Sequence, residues 1–592
     1  MIQRLFDIVQ QRAQQTPDAT MLAAKENGQW RTYPCKEVWE TAQRMAGGLL
    51  SKGIANSVLE PDAQEKIAII SPNRPEWMIT DVAVQLTGAV LTPVYPTISP
   101  TDLVYVLTEA EVRIVFVANA DIYAHFKEAL SQVPSLQKVY SFDVLDGVTH
   151  WTELLKSDTR PDEALLARIK PETLATIIYT SGTTGNPKGV MLTHNNIASN
   201  VRDSIPAFTF AHANAKALSF LPLNHIFERM VTYVYIHSGV SIYYAESMDT
   251  IGLNLKEVKP LVFTTVPRLL EKVYERIMNT AMELKGIKRA LFFWALGLGK
   301  QYDNARPGSP WYRLQLWLAN KIIFSKWREA LGGNVKAIVT GSAACQERLA
   351  RIFTSANIII MEGYGLTETS PVISVNRFES ENRRIGSIGT LIDNVEVKIA
   401  EDGEIMVKGP NVTIGYYKHP ELTAAAMKDG WFLTGDIGQW IEGRFLKITD
   451  RKKEIFKTSG GKYVAPQAIE NRMKESIYIE QMMVTGANMK FVAALIVPSY
   501  MQVRKYLRDH HPSLAIPENN KELIKLPEVM AIIQKQVDKY NEFFSHPEQV
   551  KKFALLADEW TIDSGELTPS LKVKRKAIEQ RYARQIEELY TG

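Results

Sequence analysis

The sequence predicts an α/β fold: a large N-terminal domain of βαβ layers with a small β-rich subdomain, followed by a smaller α+β C-terminal domain. Three observations carry this. Short β-branched runs alternate with helical stretches through most of the chain, short strands with glycine turns take over at 394–448, and the composition becomes more charged after Asp450. With 592 residues, 45% of them hydrophobic, and 69 Lys plus Arg against 65 Asp plus Glu, the chain is no single small module, disordered tail or fibre.

In chain order, 66–70 (KIAII), 112–117 (VRIVFV), 176–179 and 335–339 read as buried parallel strands, and 76–88 as one of the helices between such strands. From 281 to 331 the texture becomes aromatic and helical, with Trp294, Trp311, Trp317 and Trp327, and the turn signal RPGSP at 306–310 divides it. That pattern predicts a helical hairpin inserted in the main domain. The runs EDGEIMVKG, WFLTGD and EGRFLKITD mark the β-rich subdomain, 394–448, and strand-like 482–485 and 492–497 alternate with helices beyond it. The domains expected are therefore 1–449 and 450–592.

The start, MIQRLFDIVQQRAQQTPDA, lacks the basic and then apolar segments of a secretory signal. The longest apolar runs, 84–94 and 291–298, fall short of the roughly 20 residues that span a bilayer. Cys35 and Cys345 stand far apart and outside any CxxC spacing, which argues against a disulfide framework or a cysteine metal site and for a cytoplasmic setting. Peripheral contact at the inner membrane surface and a homodimer stay open, and no nucleic-acid partner is expected. Residues 451–592 hold 23 basic and 18 acidic side chains against 46 and 47 in the rest, so the basic excess lies in the C-terminal domain and points to a polyanionic ligand there.

The most informative segment is YTSGTTGNPKG at 179–189, where an apolar strand runs into hydroxyls and glycines and then a lysine. Small residues let backbone N–H groups approach phosphate oxygens, the Thr and Ser hydroxyls add donors, and Lys188 supplies a mobile charge. It is not a Walker A loop, because Pro187 precedes Lys188 and Gly189 follows it.

This loop resembles the signature of the AMP-forming acyl-adenylate synthetases, the superfamily of acyl-CoA synthetases, luciferases and peptide-synthetase adenylation domains. Four further segments recur in that family's order: GYGLTET at 363–369, GWFLTGD at 430–436, TDRKKEI at 449–455 with GGKYVAP at 460–466, and a C-terminal lysine segment, LTPSLKVKR at 567–575. The resemblance implies that an acid and ATP give an acyl-adenylate and pyrophosphate. It implies Thr180, Ser181, Gly182, Thr183, Thr184, Gly185 and Lys188 around the phosphates, and Gly341, Ser342, Ala343, Glu362, Gly363, Tyr364 and Gly365 along the nucleotide, with Tyr364 against the adenine. Thr367 falls on the α-phosphate, Glu368 with support from Thr180 on Mg²⁺, and Asp436 and Arg451 on the ribose hydroxyls, with Lys453 also at the nucleotide.

The adenylation lysine aligns with Lys572. Leu571 stands where the family usually has Gly, and Lys574 lies two residues on, so the choice between the two lysines stays open. The resemblance also implies a hinge at Asp450 about which 451–592 turns as a mobile cap. One orientation brings Lys572 to ATP; the other lines a pantetheine tunnel with Gly460 and Gly461, where side chains would obstruct it.

The segment LPLNHIFERM at 221–230 resembles the border of the acyl pocket in long-chain fatty acyl-CoA synthetases, with His225 set to orient the carboxylate and Phe227 and Met230 to line the channel. The aromatic insertion is typical of the same branch. The expected function is thus a long-chain fatty-acid–CoA ligase using ATP, Mg²⁺ and coenzyme A. An acyl-carrier-protein ligase and a non-catalytic fatty-acid-binding protein are the alternatives.

Overall fold

Two large sheets share a layer of helices in the computed structural model, which describes residues 2–54, 58–180, 186–306, 308–562, 564–568 and 572–591. The first sheet runs, in spatial order, Gly415–Tyr416, Lys188–Thr193, Leu174–Thr180, Val90–Val94, Lys66–Ile70, Val112–Val117, Lys138–Ser141 and Thr149–His150. Its neighbours are parallel from Leu174–Thr180 onward, and Lys188–Thr193 turns back antiparallel so that Thr180 faces Lys188. The second runs Thr390–Leu391, Val372–Val375, Ile359–Gly365, Ala337–Thr340, Val262–Thr265, Lys216–Ser219, Ser241–Tyr244, Thr20–Glu26 and Gln29–Pro34. The central strands are apolar throughout because helices cover both of their faces.

The helices Leu5–Gln15, Cys35–Ser51, Pro75–Leu86, His194–Ser204 and Ile226–His237 pack into one core with strands of both sheets. Pro75–Leu86 and Ile226–His237 are buried on nearly every side and are apolar nearly all round to match. Their polar exceptions pair: Arg229 Nε donates to Asp81 Oδ2 at 2.9 Å and Tyr233 Oη to the same oxygen at 2.8 Å. An unpaired charge there would be costly, so the pair fixes how the two helices meet. Helix starts follow local chemistry, with Thr193 and Asn196 forming a reciprocal cap on His194–Ser204 and Ser99 preceding Pro100 on Pro100–Glu109.

Pro100–Glu109 and Ala120–Ser131 cover the outer face of the first sheet, and Ile251–Val258, Pro267–Glu283, Gly286–Gln301 and Glu347–Ser355 that of the second. The helical insertion expected from 281 in fact belongs to a longer run that starts at Pro267, a proline placed at the first helical turn. Its hairpin is formed by Gly286–Gln301 against Pro310–Ala319, which continues through a π-helical turn, Asn320–Phe324, into Ser325–Ala330.

Glu396–Ile399, Glu404–Lys408, Trp431–Ile441, Met427–Lys428 and Phe445–Arg451 form an antiparallel sheet. One piece of this region departs: Gly415–Tyr416 leaves it and adds an edge strand to the first large sheet, beside Lys188–Thr193. Asp450 lies within Phe445–Arg451, buried and opposite Ile437. Beyond it, Ile479–Thr485, Val492–Pro498 and Val550–Leu555 form a small sheet with the helices Pro466–Met473, Tyr500–His510, Pro527–Asn541 and Arg575–Arg581. No described helix is long and apolar enough to cross a membrane, and both cysteines are free.

Candidate active site

The motif segments sit where strands end. Leu174–Thr180 leads into 181–185, Ala337–Thr340 into 341–343, and Ile359–Gly365 carries the glycines and tyrosine of its motif on its own last residues. In open α/β sheets the crevices at such strand ends are the usual ligand sites. Ser181, Gly182, Thr183, Thr184 and Gly185 lie outside the described residues, as does Leu571. Thr180 and Lys188, facing each other across the strand pair, mark the mouth of that loop.

Three of the expected nucleotide residues form one hydrogen-bonded group. Tyr364 Oη donates to Asp436 Oδ2 at 2.7 Å, and Arg451 Nε donates to Asp436 Oδ1 at 3.0 Å. Strand pairing explains the meeting, because Asp436 and Arg451 are cross-strand partners. Burial, together with the Asp436 charge, drives the Tyr364 phenol well above its ordinary value, so it stays a donor. A Cβ on Gly341 would just meet the Phe227 ring, Ser342 adopts a positive φ of 68°, and a Cβ on Gly365 would overlap the Pro371 carbonyl. The chain thus turns tightly beside Tyr364 and admits no side chain there.

A second group surrounds Glu368, in the short turn Thr367–Thr369. Tyr416 Oη donates to Glu368 Oε1 at 2.8 Å, and Lys188 Nζ lies 5.7 Å from the centre of the Tyr416 ring. Thr413 donates its N–H to the Glu368 carbonyl at 2.7 Å and its hydroxyl to Met191 O at 2.6 Å. The edge strand that left the β-rich region therefore joins the phosphate-loop strand to the Glu368 turn. Glu368 Oε2 bonds none of the described residues. A free carboxylate oxygen, with Thr180 the cross-strand partner of Lys188, suits Mg²⁺, which takes one or two protein oxygens and fills its remaining positions with water and substrate phosphates.

Lys572 reaches this region from the C-terminal domain. Loss of water around its ammonium, with Arg451 nearby, pushes it down to about 8 against the opposing pull of Asp436, Glu454 and Glu368. Its charge thus feels members of both groups, Asp436 and Glu368, whereas Lys574 is exposed. The lysine segment is tied to its own domain by Arg575, to which the sequence analysis gave no role. Its Nη2 donates to both Glu470 oxygens at 2.6 and 2.7 Å, its Nε to Glu454 Oε2 at 3.0 Å and its Nη1 to Val484 O at 3.1 Å. A planar guanidinium spread over two carboxylates is a rigid anchor.

His225 is the N-cap of Ile226–His237: its Nδ1 accepts the Phe227 N–H at 3.1 Å. Burial and the Lys572 charge push it down to about 3, so it is neutral and carries its proton on Nε2. The loop before it is pinned by Asn73, which donates to Ser219 Oγ and Leu221 O at 3.0 and 2.7 Å, and by Asn224, which donates to Val94 O at 2.5 Å. Phe227 and Met230 are buried. One turn on, Glu228 accepts Ser219 Oγ at 2.6 Å and is pushed up to about 7 by burial.

Not every expected residue joins these groups. Glu362 turns to the Cys345 N–H, accepting at 2.8 Å, and burial pushes it up to about 8, as fits a neutral acid inside the fold. Lys453 is exposed in the turn after Phe445–Arg451, and Gly460 and Gly461 lie in the exposed turn joining Phe456–Lys457 to Tyr463–Val464.

An ion pair and hydrogen bonds join the two domains in this arrangement. Arg268, on Pro267–Glu283, pairs with Glu480 of the C-terminal domain and donates to Glu271 Oε2 at 3.1 Å. Gln346 Nε2 donates to Glu271 Oε1 at 2.8 Å and to Lys474 O at 3.4 Å. Glu275 completes the cluster, pushed up to about 7 by burial and then by the Glu480 charge.

Lys188 thus lies beside the Glu368 group and Arg451 in the Asp436 group, with Lys572 feeling the charge of both. Such cations beside carboxylates and hydroxyls are the chemistry that can hold a phosphorylated ligand. Residues 9–417 match the model of AMP-binding enzymes and residues 453–592 that of the AMP-binding enzyme C-terminal domain. The chain is 34% identical to long-chain-fatty-acid–CoA ligase FadD15 of Mycobacterium tuberculosis, over 97% of this chain and 95% of that protein. It is 33% identical to human long-chain-fatty-acid–CoA ligase 1, over 95% and 82%. Among solved structures, the adenylation domain of a carboxylate reductase from Mycobacterium chelonae aligns with a TM-score of 0.77 at 20% identity, over 100% of this chain and 91% of that one. The o-succinylbenzoate–CoA synthetase of Bacillus subtilis, solved with ATP and magnesium, aligns with a TM-score of 0.67 at 20% identity, over 96% and 98%.

Proposed function

The chain belongs to the family of AMP-binding enzymes, and from that premise we propose that it activates long-chain fatty acids to acyl-CoA. ATP and the acid give acyl-AMP and pyrophosphate, and CoA then displaces AMP to give the thioester. A carboxylate is a poor electrophile, and the adenylate supplies the leaving group it lacks.

The observation that supports this reading is the hydrogen-bonded group of Tyr364, Asp436 and Arg451, joined by Lys572, a cation from the C-terminal domain whose charge feels both Asp436 and Glu368. Asp436 and Arg451 would hold the ribose hydroxyls, with Tyr364 beside the base. Lys188 and the loop at 181–185 would hold the outer phosphates. Lys572 would bridge the acid and the α-phosphate, where negative charge gathers as the new bond forms. Bound Mg²⁺, held by Glu368 and Thr180, would neutralise phosphate charge. His225, neutral and with Nε2–H as donor, would orient the acid's carboxylate without adding a second cation beside Lys572.

The second half-reaction needs different neighbours at the same acyl carbon. We assign it to a turn of the cap about Asp450, which would withdraw Lys572 and bring Gly460 and Gly461 to the pantetheine arm. The reading also places the reaction where its substrates meet, with ATP and CoA in cytoplasmic water and the acid dissolved in a bilayer, so it includes peripheral contact at the inner membrane surface.

Pyrophosphate release with palmitate, with and without CoA, tests the proposal. Release that depends on the acid, with thioester formed only when CoA is present, is expected. Acid-dependent release with no CoA thioester overturns the acceptor in favour of a carrier protein, and no release in either condition overturns catalysis altogether. Thermal shifts with ATP, Mg²⁺ and acids of increasing length rank the chain lengths bound.

A further inference from the structure

The hairpin of Gly286–Gln301 and Pro310–Ala319 has an inner and an outer face, and only the inner one is used. Phe292, Leu296, Phe324 and Trp327 pack with Ile352 and Phe353 in the core beneath the second sheet. Trp294 Nε1 donates to Gln315 Oε1 at 3.1 Å and Tyr312 Oη to Leu298 O at 2.9 Å, so the two helices are antiparallel. The aromatic residues of this segment are thus split: Trp327 serves the core, and two others do not.

On the outer face Trp311 is 67% exposed and Trp317 56%, with Leu314 and Ile322 at 48% and Ile287 at 79%. Trp311, Leu314 and Trp317 recur at intervals of three, so they share one side of their helix, and the stripe from 311 to 322 is roughly 16 Å long. Large apolar side chains in this density are not ordinary surface. The charge around them is lopsided as well. Residues 281–331 contain nine Lys and Arg against three Asp and Glu, more than the whole chain's net excess. Among the described residues Lys285, Lys288, Arg313 and Lys321 have no acidic partner, and Lys321 Nζ sits 5.0 Å from the centre of the Trp317 ring.

From this we infer that the outer face of the hairpin is a docking surface for an anionic lipid bilayer, into whose headgroup layer Trp311, Leu314, Trp317, Ile287 and Ile322 insert. Tryptophan is favoured at that depth because its ring is apolar and its N–H is polar. Lysine and arginine beside it reach back to lipid phosphates while their stems stay among apolar groups. A second copy of the chain fits the face less well, since a two-fold contact of this surface with itself would set its unpaired cations against one another. The inference gives a location to the membrane contact in the proposed function and rests on that part of it alone.

The test uses the full chain in co-sedimentation with vesicles of equimolar phosphatidylglycerol and phosphatidylcholine, and with vesicles of phosphatidylcholine only. The protein should pellet with the anionic vesicles, and the double variant W311S/W317S and the triple variant K285Q/K288Q/K321Q should each bind at least about tenfold more weakly. All these side chains are exposed, so both variants should unfold at the temperature of the parent and form acyl-CoA at its rate from albumin-bound palmitate. Equal binding by parent and variants, or no binding by the parent, overturns the inference. So does a parent that dimerises in sedimentation equilibrium while W311S/W317S does not. Vesicle binding by a protein that makes no thioester overturns the proposed reaction and leaves the docking face standing; thioester formation without vesicle binding does the reverse.

Discussion

Replacing Lys572 by Ala should separate the two half-reactions. The residue reaches the nucleotide corner from another domain, so its loss removes one preorganised donor from the adenylation transition state and nothing from the site that thioester formation would use. Loss of such a donor costs about 10²–10³ in rate. Exchange of labelled pyrophosphate into ATP, with palmitate present, reads the first half; CoA thioester formed from supplied palmitoyl-AMP reads the second and should be unchanged. Lys574→Ala, at an exposed position, is the control and should leave both intact. The parent's pH profile adds a signature that a merely structural lysine would not give. With the ammonium pushed down to about 8, the charged fraction falls from about nine-tenths at pH 7 to about one-tenth at pH 9, so kcat/KM of the exchange should fall about tenfold across that range. Bound ATP adds negative charge beside the ammonium and raises its pKa, so kcat should hold to higher pH than kcat/KM. Equal loss of both halves in K572A, a comparable loss in K574A, or a kcat/KM that is level from pH 7 to 9 refutes the reasoning.

Asp436→Asn weakens both the Tyr364 and the Arg451 bonds and should raise the KM for ATP about 10- to 100-fold, read from initial rates. Tyr416→Phe removes the hydroxyl that orients Glu368 and should weaken Mg²⁺ dependence about 10- to 100-fold in a Mg²⁺ titration of pyrophosphate exchange, with the KM for the acid unchanged. Arg268→Ala breaks the pair with Glu480 across the domains and should slow pyrophosphate exchange while sparing thioester formation from supplied adenylate. Glu275 has a raised pKa, so the stability it contributes is complete below its ordinary value of 4.5 and is lost as pH rises through about 7; Glu275→Gln should flatten the decline in melting temperature across that interval.

The parts of this molecule that the sequence discloses are those encoded within one short segment. The strand expected at 112–117 is found at Val112–Val117 and that at 66–70 at Lys66–Ile70, because a run of β-branched residues between turns has few other ways to be buried. Asp436 and Arg451 meet because a hairpin pairs them, which the β-rich run at 394–448, ending short of Arg451, did not show. Tyr416 was missed altogether: it meets Glu368 only because a two-residue strand leaves its own neighbourhood and crosses to another sheet. The available hint was Gly415 followed by two tyrosines, a tight turn feeding an aromatic pair. Arg575 looked like one more cation in a basic tail, and only the fold brings Glu454 and Glu470 to it. Pro267 was a readable signal for where the helical run begins, passed over because the aromatic texture starts later.

The same electrostatics bear on the order of events. The depression of Lys572 from its ordinary 10.5 to about 8 means that the closed arrangement disfavours its ammonium by about 3 kcal/mol relative to the amine when no nucleotide is present. Closing over an empty site is therefore opposed, and closing over the phosphates of ATP is favoured because they replace the lost water with negative charge. On the proposed reaction, departure of pyrophosphate removes most of that charge and restores the opposition, so the step that completes adenylation also gives the cap its reason to leave. Arg268 and Glu480 act against that departure with a partly buried ion pair, and Glu275 weakens their hold as it ionises. Cap turnover is thus set by the difference between a nucleotide-dependent force at Lys572 and a nucleotide-independent one at Arg268, which is why their single substitutions should both slow adenylation while only K572A removes the fall above pH 8.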